Sequence, residues 1–428
     1  MDYRILPPEE LPEAEIKLPL SKSMSNRALI INALGAFPST NNVTARCIDT
    51  DVLRGALESD SDVIDIDGAG TAMRFLTALF AATPGRNVTL TGNERMRERP
   101  IAPLVDALRK LGAQITYTGG EGFPPLFIEG RELHGGELTI DASMSSQFVS
   151  ALLMIAPRLR GGLKIILETE IGSLPYVDLT LEMMRRAGAE AERERLEITV
   201  AEGAYTKPIT SIEADWSAAS YWYEMEAVSS GFFTLLGLEA NSPQGDAAVA
   251  KLFANISVNT EFTSDYDSRG PAAELLASPD LAPRLVTDLS ATPDLTPAVA
   301  VTCALVGIPF RLSGLSTLCH KECNRLEALR LELDKMGVEC QVIGNHTLEW
   351  NGRRMPLLGL PEFDTYGDHR MAMAFAAVSL YIPGIKVKDV EVVGKSYPEF
   401  WEHLQQAGFT LVDGNVSYNE LFEEGEGA

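Results

Sequence analysis

"LPLSKSMSNRALIINALGAF", residues 18–37, reads as a strand end, a polar loop and an Ala-rich apolar helix. The same pattern, a small polar residue followed by an apolar helix, a Gly or Pro and a β-like stretch, returns five times. The helices open at Ser25, Thr71, Ser145, Ser217, Thr296 and Asp368, so a first short interval of 46 residues is followed by intervals of 72–79. Between them lie amphipathic stretches such as "RPIAPLVDALRKLGAQITY" (99–117) and "NRLEALRLELDKMGVECQVI" (324–343). Each ends its helical part at a Gly and continues as alternating residues, the order expected for helix, cap and strand. In the second, Leu326, Leu329, Leu333 and Met336 mark the face expected to be buried. Each unit therefore reads as βαβαββ, giving an α/β chain with mixed sheets whose first unit is shortened by about a strand pair.

Composition narrows the function. The chain has 428 residues, 45% of them hydrophobic and 22% charged, which is ordinary for a globular protein with substantial cores; disorder is expected only at the acidic stretch "NELFEEGEGA" (419–428). A net charge of -24 argues against nucleic acid or an anionic membrane as partner. No apolar run reaches the roughly 18 residues of a membrane span, and "MDYRILPPEE" has no signal- or transit-peptide character, so a soluble cytoplasmic protein is expected. Cys47, Cys303, Cys319, Cys323 and Cys340 form neither a disulfide framework nor a zinc-ligand set, and are read as reduced thiols.

The cations are unusually placed. A helix N-terminus favours anions by a few tenths to about 1 kcal/mol, yet Arg27, Arg74 and Arg370 all appear in the first turn of an Ala-rich helix. Free backbone N–H groups beside a guanidinium make a strong site for carboxylate or phosphate. Several unit tips are thus expected to converge on a polyanionic small molecule, with Lys22, Arg99, Lys321, Arg325 and Lys395 as further candidates. An empty site of this kind would be strained by its own like charges. Two nucleotide motifs fail: "DGAGTAMR" has Met73 where a dinucleotide fingerprint needs its third glycine, and "VVGKSYP" has Asp389 where a phosphate loop needs its first.

Taken together, "LSKSMSNR", "GAGTAMRF", "RMRERPI", "SSQF", "PDLTPA", "HKECNR", "YGDHRMAMAF" and "GKSYPEF", in this order from about residue 17 to 410, resemble the 5-enolpyruvylshikimate-3-phosphate synthase family of 3-phosphoshikimate 1-carboxyvinyltransferases. The resemblance implies two similar domains, each of three βαβαββ units in an inside-out, barrel-like α/β arrangement. Residues 21–212 would form the first domain and residues 1–20 plus 213–428 the second, with the active site in the interdomain cleft; because the site residues come from both halves of the chain, closure on substrate binding is expected as well. It also implies transfer of the enolpyruvyl group of phosphoenolpyruvate to the 5-hydroxyl of shikimate 3-phosphate by addition and elimination of phosphate. No cofactor, no metal and a monomer are expected.

Site roles follow from the same resemblance. Lys22, Ser23, Arg27, Ser145, Ser146, Gln147, Ser173, Tyr176, Asp294, Thr317 and Lys321 would contact shikimate 3-phosphate. Lys22, Gly70, Arg99, Gln147, Arg325, Arg370 and Lys395 would contact phosphoenolpyruvate. Asp294 would accept the 5-hydroxyl proton, Glu322 would handle protons at the methylene carbon, and Lys22 would touch both substrates; Thr71, Arg74, Asp368 and His369 would support them. On the residues alone, Thr296–Pro297 makes a better helix start than Asp294 and leaves that carboxylate free. Lys321, Glu322 and Arg325 cannot aim at one point from a regular helix, so an irregular segment is expected around Lys321.

Gly68, Phe75, Leu174, Thr317 and the Cys323–Asn324 pair depart from the family's usual residues, and none removes a charged candidate. Two alternatives stay open: an enolpyruvyl transferase acting on UDP-N-acetylglucosamine, although "ERMRERPI" lacks the cysteine expected there, and a non-catalytic phosphometabolite-binding protein on the same scaffold.

Overall fold

In the computed structural model the described residues are 1–38, 43–141, 145–169, 172–417 and 420. All but Glu420 of the acidic stretch 419–428 therefore lies outside them. The chain divides into two compact units: residues 20–213 with 243–245, and residues 1–19, 214–242 and 246–428.

One sheet plan is used five times. In the unit built on residues 20–213, strand Val63–Asp65 pairs parallel with Asn87–Thr91, which pairs antiparallel with Leu126–Glu129, which in turn pairs antiparallel with Gln114–Tyr117. His134–Ile140, Arg160–Leu167, Glu197–Val200 and Ala191–Glu194 repeat that order and polarity. In the other unit, Leu285–Asp288, Phe310–Ser313, Thr347–Trp350 and Gln341–Ile343 do the same.

The remaining two sheets borrow strands from the start of the chain. Glu13–Lys17 provides the parallel first strand beside Phe232–Leu236, and Tyr3–Leu6 lies between Ile385–Val387 and Thr410–Asp413, antiparallel to both. The short first interval, residues 20–62, carries the helices Lys22–Leu34 and Ile48–Glu58 and no strand among the described residues. It is thus shortened by more than the strand pair suggested by the spacing.

The recurring Ala-rich helices are buried on nearly all sides. Every residue from Thr296 to Leu305 of the helix Thr296–Val306 is buried, as are ten of the thirteen residues of Lys22–Leu34. A helix apolar all round belongs inside a core, and its small residues let neighbouring helices approach closely. Within one unit Gly70–Ala81, Ser146–Ile155 and Leu174–Arg186 pack in this way; in the other, Trp216–Ser229, Thr296–Val306 and His369–Ala376 do. Each unit has its own continuous apolar core.

The helix starts differ from the sequence reading in one respect that matters for the site. Ser21 caps the first helix, its Oγ accepting from the Met24 N–H, so the helix begins at Lys22 and places Arg27 in its second turn. Arg74 likewise sits a turn inside Gly70–Ala81, whereas Arg370 is in the first turn of His369–Ala376. The earlier start moves Arg27 from the tip into the helix layer; Arg27, Arg74 and Arg370 are all buried.

Candidate active site

Within the unit of residues 20–213, Arg27 is 2% exposed and already well occupied. It donates from Nε to the Thr180 hydroxyl at 2.7 Å, from Nη1 to the Ser23 carbonyl at 2.9 Å, and from Nη2 to the Ser150 hydroxyl at 3.3 Å and the Tyr176 carbonyl at 3.1 Å. Its guanidinium lies 5.4 Å from the Phe75 ring centre and 6.0 Å from that of Tyr176. Burial pulls its pKa down to about 10, so it stays charged at neutral pH. Four of five guanidinium N–H groups are used, and the residue fastens Ser23 and Tyr176 to one another. Lys22, at the helix tip, pairs with Asp49 at 3.0 Å.

A second anchor is Gly70. A Cβ there would lie 2.5 Å from Arg74 Nη1 and 2.7 Å from Arg99 Nη1, so both guanidinium groups lean over the glycine at the start of its helix. Arg74 Nη1 also donates to the Gly70 carbonyl at 2.7 Å. The arrangement joins two cations to the backbone N–H groups of a twelve-residue helix, a strong setting for an oxyanion. Gln147 Nε2 donates to the Thr71 hydroxyl at 3.1 Å, tying this helix to the next, which Ser145 caps by accepting from the Gln147 N–H at 3.2 Å. Ser146 is buried at the first position of that helix, and Ser173 precedes the helix Leu174–Arg186 that carries Tyr176.

The other unit gathers its candidates more tightly. Asp294 lies in a 3-10 turn, Pro293–Leu295, that runs into the helix Thr296–Val306. Thr296 is therefore not the cap expected from its Pro neighbour, because the turn begins earlier and takes Thr296 into the helix. Asp294 Oδ1 lies 3.1 Å from Lys321 Nζ and 2.9 Å from Arg325 Nη1, while Oδ2 lies 3.1 Å from Arg370 Nη2. Arg325, 1% exposed, also reaches Glu322 at 3.0 Å and Asp368 at 2.8 Å. Asp368 accepts from the Arg370 N–H at 3.0 Å as helix cap, and its Oδ1 is 3.8 Å from His369 Nδ1.

Lys321 to Asn324 form no regular helix, which is what lets Lys321, Glu322 and Arg325 reach one cluster. Asn324, one of the departures, caps the following helix by accepting from the Glu327 N–H at 3.3 Å. Cys323 Sγ lies 3.7 Å from Asp368, with its thiol pKa raised chiefly by burial. Thr317 and Lys395 make no hydrogen bond or ion pair to this cluster among the described residues; Lys395 ends the turn Val390–Lys395 packed against the helix His369–Ala376.

The electrostatics depart from the expectation of a site strained by like charge. Burial pushes Asp294 upward, but Arg370, Lys321 and Arg325 outweigh it and hold the carboxyl well below the usual range. Arg325 pays for its burial through Asp368, Glu322 and Asp294, which raise its pKa above the ordinary value. Lys321, Arg325 and Arg370 are thus compensated by carboxylates of their own cluster. Asp49 was not legible as the partner of Lys22 in the sequence, because a carboxylate in "CIDTD" carries no local sign of the cation it will face.

Comparisons with known proteins identify the family. Residues 40–404 match the family model described as EPSP synthase (3-phosphoshikimate 1-carboxyvinyltransferase). A 3-phosphoshikimate 1-carboxyvinyltransferase of Bacteroides fragilis is 45% identical over 416 residues, covering 97% of this chain and all of the relative. The chain belongs to the EPSP synthase family. A like-named protein of Sulfurovum is 34% identical, covering 95% of this chain and 99% of its own. The solved EPSP synthase of Acinetobacter baumannii shares the fold, with a TM-score of 0.73 at 21% identity over 96% of this chain and all of that one.

As a family member the chain is a 3-phosphoshikimate 1-carboxyvinyltransferase, with phosphoenolpyruvate and shikimate 3-phosphate as substrates. The reading as a transferase acting on UDP-N-acetylglucosamine is not favoured. Among the described residues no helix is long and apolar enough to cross a membrane, and no cluster of His, Cys, Asp and Glu could hold a metal ion.

Proposed function

We propose that Asp294 is the proton acceptor of the transfer, and that substrate anions free it for that task. The observation that carries this reading is the triple grip of Lys321, Arg325 and Arg370 on its carboxylate. So held, Asp294 is a weak base. The phosphoenolpyruvate carboxylate is a competing partner for Arg325 and Arg370, and the shikimate phosphate for Lys321. As these cations turn to the substrates, Asp294 regains basicity next to the hydroxyl it must deprotonate.

In the addition step the 5-hydroxyl oxygen attacks C2 of phosphoenolpyruvate, Asp294 takes the hydroxyl proton, and Glu322 delivers a proton to the C3 methylene carbon. Elimination reverses the last transfer: a methyl proton returns to Glu322, the double bond re-forms and phosphate leaves. Arg99, Gly70 and Gln147 hold the phosphoenolpyruvate phosphate with Lys22 and Lys395. Lys22, Ser23, Arg27, Ser145, Ser146, Gln147, Ser173, Tyr176 and Thr317 hold shikimate 3-phosphate. Cations and helix N-termini supply the charge stabilisation that the transition state needs.

The domain reading goes with it: residues 21–212 hold shikimate 3-phosphate, and residues 1–20 plus 213–428 supply the proton chemistry, both sets acting on one substrate pair in a cytoplasmic monomer. A coupled phosphate-release assay with chelator present tests it. Release from phosphoenolpyruvate is expected only with shikimate 3-phosphate. Release that requires UDP-N-acetylglucosamine, or release restored only by added metal, overturns the reading.

A further inference from the structure

Asp246 lies in the 3-10 turn Gly245–Ala247, is 3% exposed and belongs to none of the contacts described for the substrates. One carboxylate oxygen accepts a hydrogen bond from the Ser217 hydroxyl, in the first turn of the helix Trp216–Ser229. The other, Oδ1, is buried with no hydrogen-bond partner, and Asp246 makes no ion pair among the described residues. A carboxylate enclosed in this way is costly unless its charge is used.

Ser217 and Tyr221, one turn apart on the helix Trp216–Ser229, bring Asp246 and Arg370 to one helix face, and the groups that act on Asp246 come from several elements. They are Asp294 in its turn, Arg370 on the helix His369–Ala376, and the Asp215 carboxylate with the Ser217 hydroxyl at the start of the helix Trp216–Ser229. Arg370 in turn reaches Asp294 at 3.1 Å and the Tyr221 hydroxyl at 3.5 Å. Two carboxylates thus share the field of one guanidinium, and only Asp294 pairs with it directly. Like charges so placed raise one another's affinity for a proton.

We propose that Asp246 is a positioning residue for the carboxyvinyl transfer, whose negative charge beside the Arg370–Asp294 pair keeps Asp294 able to accept a proton. This rests on Asp294 being the base. Three cations draw proton affinity out of Asp294, and Asp246 pushes some back without competing for those cations. Burial, and then Asp294, bring Asp246 itself up to about 6, so it is charged at neutral pH and loses its charge in mild acid. When it takes a proton, the push on Asp294 ends and turnover falls.

The test is the pH dependence of kcat and kcat/KM from roughly pH 5 to 9 for the unaltered enzyme, Asp246→Asn and Ser217→Ala. Substrate phosphates also titrate near about 6, so the difference between variants is the readout. Asp246→Asn is expected to move the acid limb down by about half a unit or more and to lower plateau kcat roughly three- to tenfold, as for a weakened base. Ser217→Ala removes the bond that favours the charged form, and is expected to move the limb the other way. Should Asp246→Asn fail to fold, the Ser217→Ala limb decides alone.

Acid limbs that stay in place in every folded variant overturn the proposal. Asp294→Asn separates it from the reading on which it rests. Turnover that survives in Asp294→Asn removes Asp294 as base. Turnover abolished there, with the limbs of Asp246→Asn and Ser217→Ala unmoved, overturns the role of Asp246 alone.

Discussion

Arg325 Nη1 and Asp294 Oδ1 stand 2.9 Å apart inside a cluster where Arg325 is 1% exposed and meets three carboxylates at once. A cation so well satisfied gives up a partner only to an incoming anion of comparable strength. Breaking such a pair from one side leaves a buried charge uncompensated, at a cost of about 3–5 kcal/mol.

Removing the proton-handling groups should therefore separate chemistry from binding. Asp294→Asn and Glu322→Gln are each expected to lower kcat about 10²- to 10⁴-fold, with KM for either substrate changed far less. Steady-state kinetics with both substrates varied check this; equal losses in kcat and in affinity would count against the assigned roles.

Gly70→Ala should act on phosphoenolpyruvate selectively. The added methyl would press on Arg74 and Arg99, whose guanidinium nitrogens lie 2.5 and 2.7 Å from its position. Displacing them, at about 1–3 kcal/mol, raises KM for phosphoenolpyruvate roughly five- to a hundredfold. KM for shikimate 3-phosphate should stay within about twofold, and an equal rise in both would remove Gly70 from the phosphoenolpyruvate side.

Arg27 should matter more to folding than Lys22 does. Arg27→Met strips partners from Ser23, Ser150, Thr180 and Tyr176 in a buried layer and is expected to cost about 2–4 kcal/mol, seen as a Tm lowered by roughly 5 °C or more. Lys22→Met combined with Asp49→Asn, which removes both charges of that buried pair, should leave Tm within about 2 °C while raising KM for both substrates. Calorimetry on the two variants distinguishes the roles.

Stability should fall with alkalinity through Glu224. Both its carboxylate oxygens, on the helix Trp216–Ser229, are buried without a hydrogen-bond partner among the described residues, and burial raises its pKa well above the ordinary value. The folded chain keeps this proton while the unfolded chain releases it above about pH 4.5, so stability declines by up to about 1.4 kcal/mol per pH unit from there until the folded group ionises. Glu224→Gln should flatten that slope in denaturant titrations run at increasing pH. An unchanged slope would show that Glu224 has found a partner or water in solution.

Much of this was legible in the sequence. The six Ala-rich helices were visible because a helix buried on all sides must be apolar on all sides, and Gly, Pro and small polar residues mark its ends. Irregular backbone at Lys321 followed from helical geometry once the resemblance gave Lys321, Glu322 and Arg325 a common target. What was not legible is pairing at a distance. Nothing in "EAEIK" says that Glu13–Lys17 belongs beside Phe232–Leu236, and nothing in "CIDTD" says that Asp49 will meet Lys22. Ser21 rather than Ser25 caps the first helix, its backbone non-helical and its side chain accepting from the Met24 N–H, a one-turn difference that serine-rich sequence leaves ambiguous. That turn decides whether Arg27 is a tip or a buried anchor.

The strand Tyr3–Leu6 pairs Tyr3 with both Val387 and Asp413, nearly the whole length of the chain away. On the ribosome this strand must wait until both of its partners have been made. Residues 20–245 hold every segment of their own unit and can fold while synthesis continues, whereas the other unit closes only after residue 413 has emerged. Until then Tyr3–Leu6 is an unpaired edge, as Glu13–Lys17 is until Phe232–Leu236 is made, and a stalled or truncated chain would display such an edge to any other strand in reach.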